Sequence, residues 1–137
     1  MKQKKKLEDG SHQGEKWTTS HKYTGSWKDN QKYGFGIQVY KDGQKYEGGW
    51  QNDKRHGQGT LWVPDETKNL RRRYTGDWVN DKKEGRGTMF FGNEDRYDGF
   101  WKDNKPEGEG RMIYKNGDVY VGNWVNGKRS GYGVLTK

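Results

Sequence analysis

Aromatic and polar residues alternate in five short segments of this chain, and the alternation predicts β-strands. In each segment tyrosine comes first, glycine third and tryptophan fifth, with mostly polar residues between them. Because successive side chains of a strand point to opposite faces, the tyrosine, glycine and tryptophan share one face. The five segments begin at Tyr23, Tyr46, Tyr74, Tyr97 and Tyr120.

A second predicted strand follows each of these segments. It begins near a Gly-x-Gly pair and continues in residues that are mostly β-branched or aromatic, which favour strands. Polar stretches separate the two strands of a unit, and Asp42-Gly43 and Asn116-Gly117 join successive units. Both pairs tolerate positive φ, as a two-residue hairpin turn requires. The second strands are predicted at residues 37–40, 60–63, 88–91, 111–114 and 134–136.

The turn type predicts a pairing register. A two-residue turn at Asp42-Gly43 pairs Val39 with Tyr46, and the equivalent turn at Asn116-Gly117 pairs Ile113 with Tyr120. The face that carries the tyrosines, glycines and tryptophans then also collects apolar residues of the second strands, namely Val39, Trp62, Phe90 and Ile113.

The interval between units is regular with one exception. Successive tyrosines lie 23 residues apart, but Tyr46 and Tyr74 lie 28 apart. The longer interval indicates an insertion at residues 65–73 within the second unit, and we expect it to bulge as an exposed loop. Before the array lies a basic tail, residues 1–15, which we expect to be flexible because it has little to bury.

Composition favours an extended array over a globule. Only 26% of the residues are hydrophobic, yet the chain has seven Trp, nine Tyr and 22 Gly. A low apolar share alone is typical of disorder, but disordered chains avoid aromatic residues. Such a chain can become ordered through aromatic packing without filling a deep core.

The combination of Tyr-x-Gly-x-Trp with Gly-x-Gly at a 23-residue period resembles the MORN repeat, over roughly residues 17–137. Proteins of that family form an elongated, twisted antiparallel meander. The resemblance therefore implies an all-β, single-layer sheet of about ten strands. We expect the array to occupy residues 16–137, with units that start near residues 23, 46, 74, 97 and 120.

The interrupted second unit and the Phe90-Phe91-Gly92 sequence resemble one member of the family in particular, which is linked to sperm and ciliary structures. That resemblance implies a ciliary or cytoskeletal protein partner. It also implies a cytoplasmic location at the cytoskeleton or at the axoneme of a cilium or flagellum. No apolar segment follows the basic residues at the start of the chain, so we expect no signal peptide.

Catalytic and metal-binding motifs are absent from the sequence. The chain has no cysteine, none of its Gly-x-Gly pairs has the third glycine of a dinucleotide-binding loop, and no phosphate-binding loop occurs. The three histidines, His12, His21 and His56, lack the paired spacing of a metal site. We therefore predict a binding protein without catalytic residues, metal or cofactor.

The aromatic face is the first candidate for partner binding. A single-layer sheet has no second layer to cover it, and a long apolar strip is typical of an interaction site. The last strand leaves an open edge at residues 134–137, where a partner or a second copy could pair. The aromatic face comprises Tyr23, Trp27, Tyr46, Trp50, Tyr74, Trp78, Tyr97, Trp101, Tyr120 and Trp124.

The basic residues support an alternative, a membrane-surface adaptor that binds acidic phospholipids. The net charge is +8, and two clusters stand out, Lys4-Lys5-Lys6 and Arg71-Arg72-Arg73. Each basic residue near an anionic membrane contributes ~1 kcal/mol to membrane binding. Such binding is marginal without an inserted segment or a lipid anchor, so a protein partner is favoured. The mixture of acidic and basic residues along the array argues against nucleic acid as the partner.

Overall fold

The computed structural model describes residues 5–6, 11–17 and 21–137, with side chains from residue 13 onward. They form one open antiparallel sheet of twelve strands in chain order, which confirms the predicted all-β meander. Two strands precede the ten of the predicted units. The strands are β1 Lys5–Lys6, β2 Ser11–Trp17, β3 His21–Lys28, β4 Gln31–Tyr40, β5 Lys45–Gln51, β6 Lys54–Pro64, β7 Leu70–Val79, β8 Lys82–Phe90, β9 Arg96–Lys102, β10 Lys105–Ile113, β11 Val119–Val125 and β12 Lys128–Thr136.

The start of the sheet lies within the segment predicted as a basic tail. β2 pairs with β3 over seven residue pairs, from Ser11 with Lys28 to Trp17 with Lys22. Lys5 and Lys6 form β1, whereas Lys4 lies outside the described residues, as do residues 7–10. At the other end β12 pairs with β11, and pairing of its other edge with a partner stays a prediction.

Two-residue turns connect the strands within each unit. Asn52-Asp53 has φ angles of 51° and 66°, and Asn80-Asp81 has 49° and 70°. Two successive positive φ values are the signature of the type I′ turn, whose twist matches that of a β-hairpin. Asparagine and aspartate tolerate this conformation better than other residues with a side chain. The same turn recurs at Asp29-Asn30, Asp103-Asn104 and Asn126-Gly127.

The connections between units are one residue longer than predicted. The Gly43 N–H donates to the Tyr40 carbonyl at 3.0 Å, and the Tyr40 N–H donates to the Gln44 carbonyl at 2.9 Å. Three residues thus form the loop, and the last of them, Gly43, has a φ of 94°. This is the three-residue hairpin in which a type I turn is followed by a left-handed residue.

The longer turn corrects the predicted register. Gln38 pairs with Tyr46 and Met112 with Tyr120, so the predicted pairs of Val39 and Ile113 with these tyrosines are wrong. Because a shift of one residue moves every side chain to the other face, four predicted members of the aromatic face lie opposite it. They are Val39, Trp62, Phe90 and Ile113. The positions beside the tyrosines are taken by Gln38, Leu61, Met89 and Met112.

The insertion is part loop and part strand. β6 extends to Pro64 and β7 begins at Leu70, so residues 65–69 form an exposed loop as expected, whereas residues 70–73 lie in β7. The Asp65 carboxylate holds this turn by accepting the N–H groups of Thr67 and Asn69 at 2.8 and 3.0 Å. A bulge at Arg73 then restores the register of the next tyrosine.

A continuous row of paired glycines crosses the sheet. Each glycine of a Tyr-x-Gly segment pairs with the second glycine of a Gly-x-Gly on its neighbouring strands, except that Gly25 pairs with Gly14 on one side. A Cβ atom on Gly87 would overlap the phenol ring of Tyr74, and one on Gly76 would overlap the backbone of Gly87. The row consists of Gly14, Gly25, Gly36, Gly48, Gly59, Gly76, Gly87, Gly99, Gly110, Gly122 and Gly133.

Substituting one glycine of this row should destabilise the sheet through a steric clash alone. We expect Gly87→Ala to lower the free energy of unfolding by about 1–3 kcal/mol or more, because the new methyl group must displace the Tyr74 ring. Urea denaturation followed by tryptophan fluorescence measures the change. The matched control is Gly92→Ala, where the nearest atom is the mobile Arg71 Nη2 at 3.4 Å. Equal stability of the two variants would contradict the proposed close contact.

Candidate functional site: the two faces of the sheet

The aromatic face predicted from the sequence is held by one pair of hydrogen bonds that recurs in every unit. The Tyr74 hydroxyl donates to the Asp77 carbonyl at 2.8 Å, and the Trp78 Nε1–H donates to the Gly59 carbonyl of the preceding unit at 3.1 Å. Equivalent bonds occur in all five units, at 2.7–3.3 Å for tyrosine and 3.0–3.3 Å for tryptophan. We call this side the ladder face and the opposite side the second face.

The rings of the ladder face pack edge to face in an unbroken series. Tyr74 lies between Trp78 of its own unit and Trp101 of the next, with centroids 5.1 and 5.3 Å away. Across the series the centroid distances are 4.8–5.5 Å and the interplanar angles 77–90°, the geometry that aromatic pairs prefer. Each unit is thereby joined to the next through a tyrosine–tryptophan contact.

All ten rings of the predicted binding face are buried, with exposed fractions between 0 and 6%. They are the core of the sheet, together with Met89 and the partly buried side chains of Tyr40, Leu61, Phe91, Met112 and Tyr114. A partner on this side would first meet the side chains that cover the rings. Direct contact between a partner and the rings stays a prediction that requires this cover to move aside.

Cations cover the ladder five residues after the tryptophan of a unit. The Arg55 guanidinium lies 4.5 Å from the Trp78 ring, and the Lys32 amine lies 4.9 Å from the Trp50 ring. Lys83 lies 5.5 Å from the Tyr74 ring, where burial is the first cause that lowers the pKa of its amine. The electron-rich faces of the rings attract these cations, so polar side chains close a core that has no second layer.

The same cationic residues form hydrogen bonds with the turn of the next unit. The Arg55 N–H donates to the Asp81 carboxylate at 2.8 Å, and the Asp81 N–H donates back to the Arg55 carbonyl at 2.9 Å. An ion pair of 3.1 Å between Arg55 Nε and the same carboxylate oxygen adds to this contact. Lys32 and Lys83 make the same backbone exchange with Asp53 and Asn104. These polar turn residues therefore connect units.

The second face carries the exposed apolar surface. Of the large hydrophobic side chains that are at least 40% exposed in the described residues, all but Leu135 lie on this face by strand alternation. Sequence reasoning missed this surface because several of its members lie between the glycines or beside the tryptophans that drew attention. The members are Trp17, Phe35, Val39, Leu70, Val79, Phe100, Val121, Val125, Tyr132 and Val134.

A groove of about 550 Å³ runs across the middle strands of the second face. Its floor is bare backbone of the glycine row. One wall contains Arg86 and Phe100, with the guanidinium 4.9 Å from the ring. The other wall contains Asp98, Arg111 and Val121. Because the groove crosses the strands, its axis follows the length of the array.

Asp98 organises the polar wall of the groove. It accepts a hydrogen bond from the Thr88 hydroxyl at 2.6 Å and pairs with Arg96 and Arg111 at 3.2 Å each. Burial opposes ionisation of this carboxyl group, but the hydrogen bonds from Thr88 and Arg111 outweigh it and lower the pKa of Asp98. The groove thus combines fixed charges with apolar side chains, an arrangement suited to recognition.

The arginines of the insertion lie at the start of β7, with Arg72 on the second face. The Arg72 guanidinium stacks on Phe90 at 4.7 Å, and Arg73 lies 5.8 Å from Phe91 on the ladder side of the strand. Arg71 donates to the Phe90 carbonyl at 3.1 Å. The structure thus brings Arg71, Arg72 and Arg73 together with two aromatic rings. The side chains of Lys4, Lys5 and Lys6 fall outside the described ones.

The described residues contain no constellation for metal-dependent chemistry. No group of three or more His, Asp or Glu side chains that could hold a metal ion occurs among them. His56 accepts a hydrogen bond from the Asn80 N–H at 3.4 Å in a turn. In the described part of the chain, no helix is long and apolar enough to cross a membrane.

The buried tyrosines predict unfolding at high pH. Burial raises the pKa of Tyr97 to about 12, and it holds those of Tyr23, Tyr46 and Tyr74 well above their ordinary value of 10.0. Below pH 10 these groups are protonated in both states. Above it only the unfolded chain readily loses the protons, so the free energy of unfolding should fall as pH rises towards the folded pKa.

Urea denaturation between neutral pH and about pH 12 measures this loss. Tyr74→Phe should reduce the slope by up to ~1.4 kcal/mol per pH unit. Tyr132→Phe, at a side chain that is 92% exposed, should leave the slope unchanged. The coupling between burial and stability would be contradicted if the ladder tyrosines ionised while the tryptophan circular dichroism of the protein stayed native.

Comparison with known families agrees with the repeating geometry. A family model described as MORN repeat matches residues 23–45, 46–68, 74–96, 97–119 and 120–137. No curated protein matches the chain significantly. Repeats of this family generally bind proteins or membranes, and the family is not enzymatic. The five matched segments span well over half of the chain and each corresponds to one hairpin of the ladder, so this chain belongs to the MORN repeat family.

Proposed function

We propose that this protein is a non-catalytic scaffold that binds an extended segment of a protein partner along its second face. The observation that carries the proposal is the distribution of exposed apolar side chains, which lie almost entirely on that face. Exposed apolar surface rimmed by polar groups is typical of interaction sites. The ladder face has its own cover of cations and partly buried hydrophobic side chains, so the second face takes the role that the sequence prediction gave to the aromatic face.

The shape of the groove favours an extended segment. Its glycine floor has no side chains, so a polypeptide can approach the sheet backbone closely between two walls. Phe100 and Val121, 40 and 52% exposed, offer apolar contact on opposite walls. Asp98 and Arg111 between them provide polar groups that could fix the register of a bound chain. Twelve strands at ~4.8 Å spacing make the face roughly 50 Å long.

The cellular context of the proposal rests on resemblance. The interrupted second unit and the Phe90-Phe91-Gly92 sequence resemble MORN repeat-containing protein 3, which is linked to sperm and ciliary structures. We propose a cytoplasmic scaffold in ciliary or cytoskeletal assembly on that basis. A fluorescently tagged chain in ciliated cells should then concentrate along the axoneme. Uniform cytoplasmic fluorescence in ciliated cells would contradict this context without affecting the proposed binding face.

The alternative is a membrane-surface adaptor that uses Arg71, Arg72 and Arg73 together with the basic residues at the start of the chain. Membrane binding is among the general activities of the family. On the second face, however, carboxylates such as Asp98 are interleaved with the arginines, which lowers the attraction to an anionic surface. Protein binding is therefore the leading proposal, and vesicle binding is a separate arm of its test.

Site-specific photocrosslinking distinguishes the two faces. A photoreactive phenylalanine analogue at position 100 or 121 should capture a partner polypeptide in an extract of ciliated cells, because both positions lie on the groove walls. The matched control is position 135, where the leucine has a similar exposure of 44% on the ladder face. Capture from position 135 alone would contradict the proposal, as would sedimentation of the protein with anionic vesicles but no captured polypeptide.

A core variant separates folding from binding. Trp101→Ala removes a ring that is 4% exposed and its hydrogen bond to Gly87, so it should destabilise the sheet by about 3–5 kcal/mol. Phe100→Ala, at the neighbouring position on the other face, should keep the native circular dichroism. It should also lose capture of the partner by the probe at position 121. Loss of capture with full stability in Trp101→Ala would return the binding site to the ladder face.

A further inference from the structure

We propose that the cavity between the insertion and the ends of β8 to β10 is an anchor site for an acidic peptide segment. This inference rests on the proposed function and assigns a chemistry to one long side of the binding face, at the ends of its middle strands. The segment we infer has a carboxylate next to a large apolar residue. The cavity has a volume of about 470 Å³ and is lined mainly by Arg71, Arg72, Phe90, Phe91 and Ile113.

The lining of this cavity includes Arg71, Arg72 and Arg96 together with the carboxylates of Glu94 and Asp95. No described carboxylate lies within ion-pair distance of Arg71, Arg72 or Arg73, whereas Arg96 at the far rim pairs with Asp98. Asp65 is the acid that Arg71 influences most clearly. A hydrogen bond from Thr67 is the main cause that lowers the pKa of Asp65, and Arg71 contributes less. The Arg71 and Arg72 guanidinium groups of the cavity therefore keep their attraction for an external anion.

The carboxylates on the rim are already engaged. Glu94 pairs with the Lys115 amine at 3.0 Å, and the Asp95 carboxylate accepts the Lys115 N–H at 2.9 Å. Both carboxylates line the cavity together with the arginines, and both contact the next inter-unit turn through Lys115. The rim thus has one acidic side that is internally paired and one basic side that is not, which gives a bound segment a preferred direction.

The aromatic rings hold the guanidinium groups in position. Arg72 stacks on Phe90 at 4.7 Å, and stacking leaves the N–H donors at the edge of the guanidinium group available. Arg71 is fixed by its bond to the Phe90 carbonyl. A carboxylate that meets preorganised guanidinium groups can accept two parallel hydrogen bonds, the strongest pairing available to an arginine. Because less side-chain freedom is lost on binding, more of the interaction appears as affinity.

The apolar part of the cavity determines the residue next to the carboxylate. Phe90 and Ile113 present apolar surface towards the same space as Arg72, on the second face. The volume lies within the range of ~300–1,000 Å³ that is typical of sites for small organic groups. A leucine or phenylalanine of the partner fits this chemistry. An anionic lipid headgroup would meet the arginines but would leave the apolar surface uncovered, so we favour a peptide.

The test is a selection in which a displayed library of random peptides is screened for binding to the whole protein chain. Enriched peptides should contain Asp or Glu beside Leu or Phe. Their binding, measured by fluorescence anisotropy, should weaken about tenfold or more in Arg72→Gln, because one charge-assisted contact is lost. Arg72→Lys should give an intermediate loss, since it keeps the charge and loses the planar fork. The matched control Lys102→Gln removes one exposed charge from β9 and should leave binding unchanged.

The outcomes separate this inference from the proposed function. Enriched peptides that lose affinity in Phe100→Ala but not in Arg72→Gln would overturn the acidic anchor and leave the scaffold intact. Selection of no peptide at all would count against both. Equal losses in Arg72→Gln and Lys102→Gln would show general electrostatic attraction and overturn the site. Binding of the chain to phosphatidylserine vesicles, lost in Arg72→Gln, with no acidic peptide enriched, would replace the peptide with a lipid surface.

Discussion

The close approach of a tyrosine ring to bare glycine backbone is the contact on which the sheet depends. A single-layer sheet has no opposing layer, so its core must be made from rings that lie against the backbone itself. The phenol of Tyr74 lies over Gly87, and the indole of Trp78 reaches back to the Gly59 carbonyl. Only glycine leaves room for this arrangement, because a Cβ atom on any glycine of the row from Gly25 to Gly133 would overlap a ring or the neighbouring strand.

This contact gives the two faces different properties. On the ladder face the rings fill the space above the glycines, and cations such as Arg55 close the surface. On the second face the middle glycines of the row, Gly76, Gly87, Gly99 and Gly110, form the floor of a groove. The row of glycines that makes room for the core on one face therefore leaves a groove on the other face. Stability and binding are consequences of one row of residues, and changes at Gly87 would affect both.

The sequence predicts the repeat, the strand order and the members of the ladder because each depends on local periodicity. The register could not be read in the same way, since Asp42-Gly43 suits both a two-residue turn and the last two positions of a three-residue loop. The choice between them depends on which side chains fit beside the tyrosine, and Gln38 rather than Val39 lies there. Local turn chemistry alone does not contain that information.

Burial of the ladder was the second feature that local reasoning missed. The prediction of the aromatic face as the binding surface assumed that a single layer has no cover, but cations and partly buried hydrophobic residues supply one. Their positions are periodic in the sequence, five residues after the tryptophan, at Lys32, Arg55, Lys83 and Arg129. In the sequence they look like solvent-exposed charges of the turns, because a linear pattern does not distinguish a cation that lies over a ring from a cation in water.

The fourth unit shows how tightly neighbouring units constrain one another. Its residue at the cationic position is Pro106, which has no N–H to donate to the next turn. In other units the second residue of the next turn accepts this bond through its side chain, as Asp81 does from Arg55. The equivalent residue after the fourth unit is Gly127, which has no side chain. The Gly127 N–H still donates to the Pro106 carbonyl at 3.0 Å, so the half of the contact that both residues can make is kept. An aspartate at position 127 would have no donor to meet, and an arginine at position 106 would lack its acceptor. The two residues match across the unit boundary, as expected for an array in which each unit is stabilised mainly by its nearest neighbours.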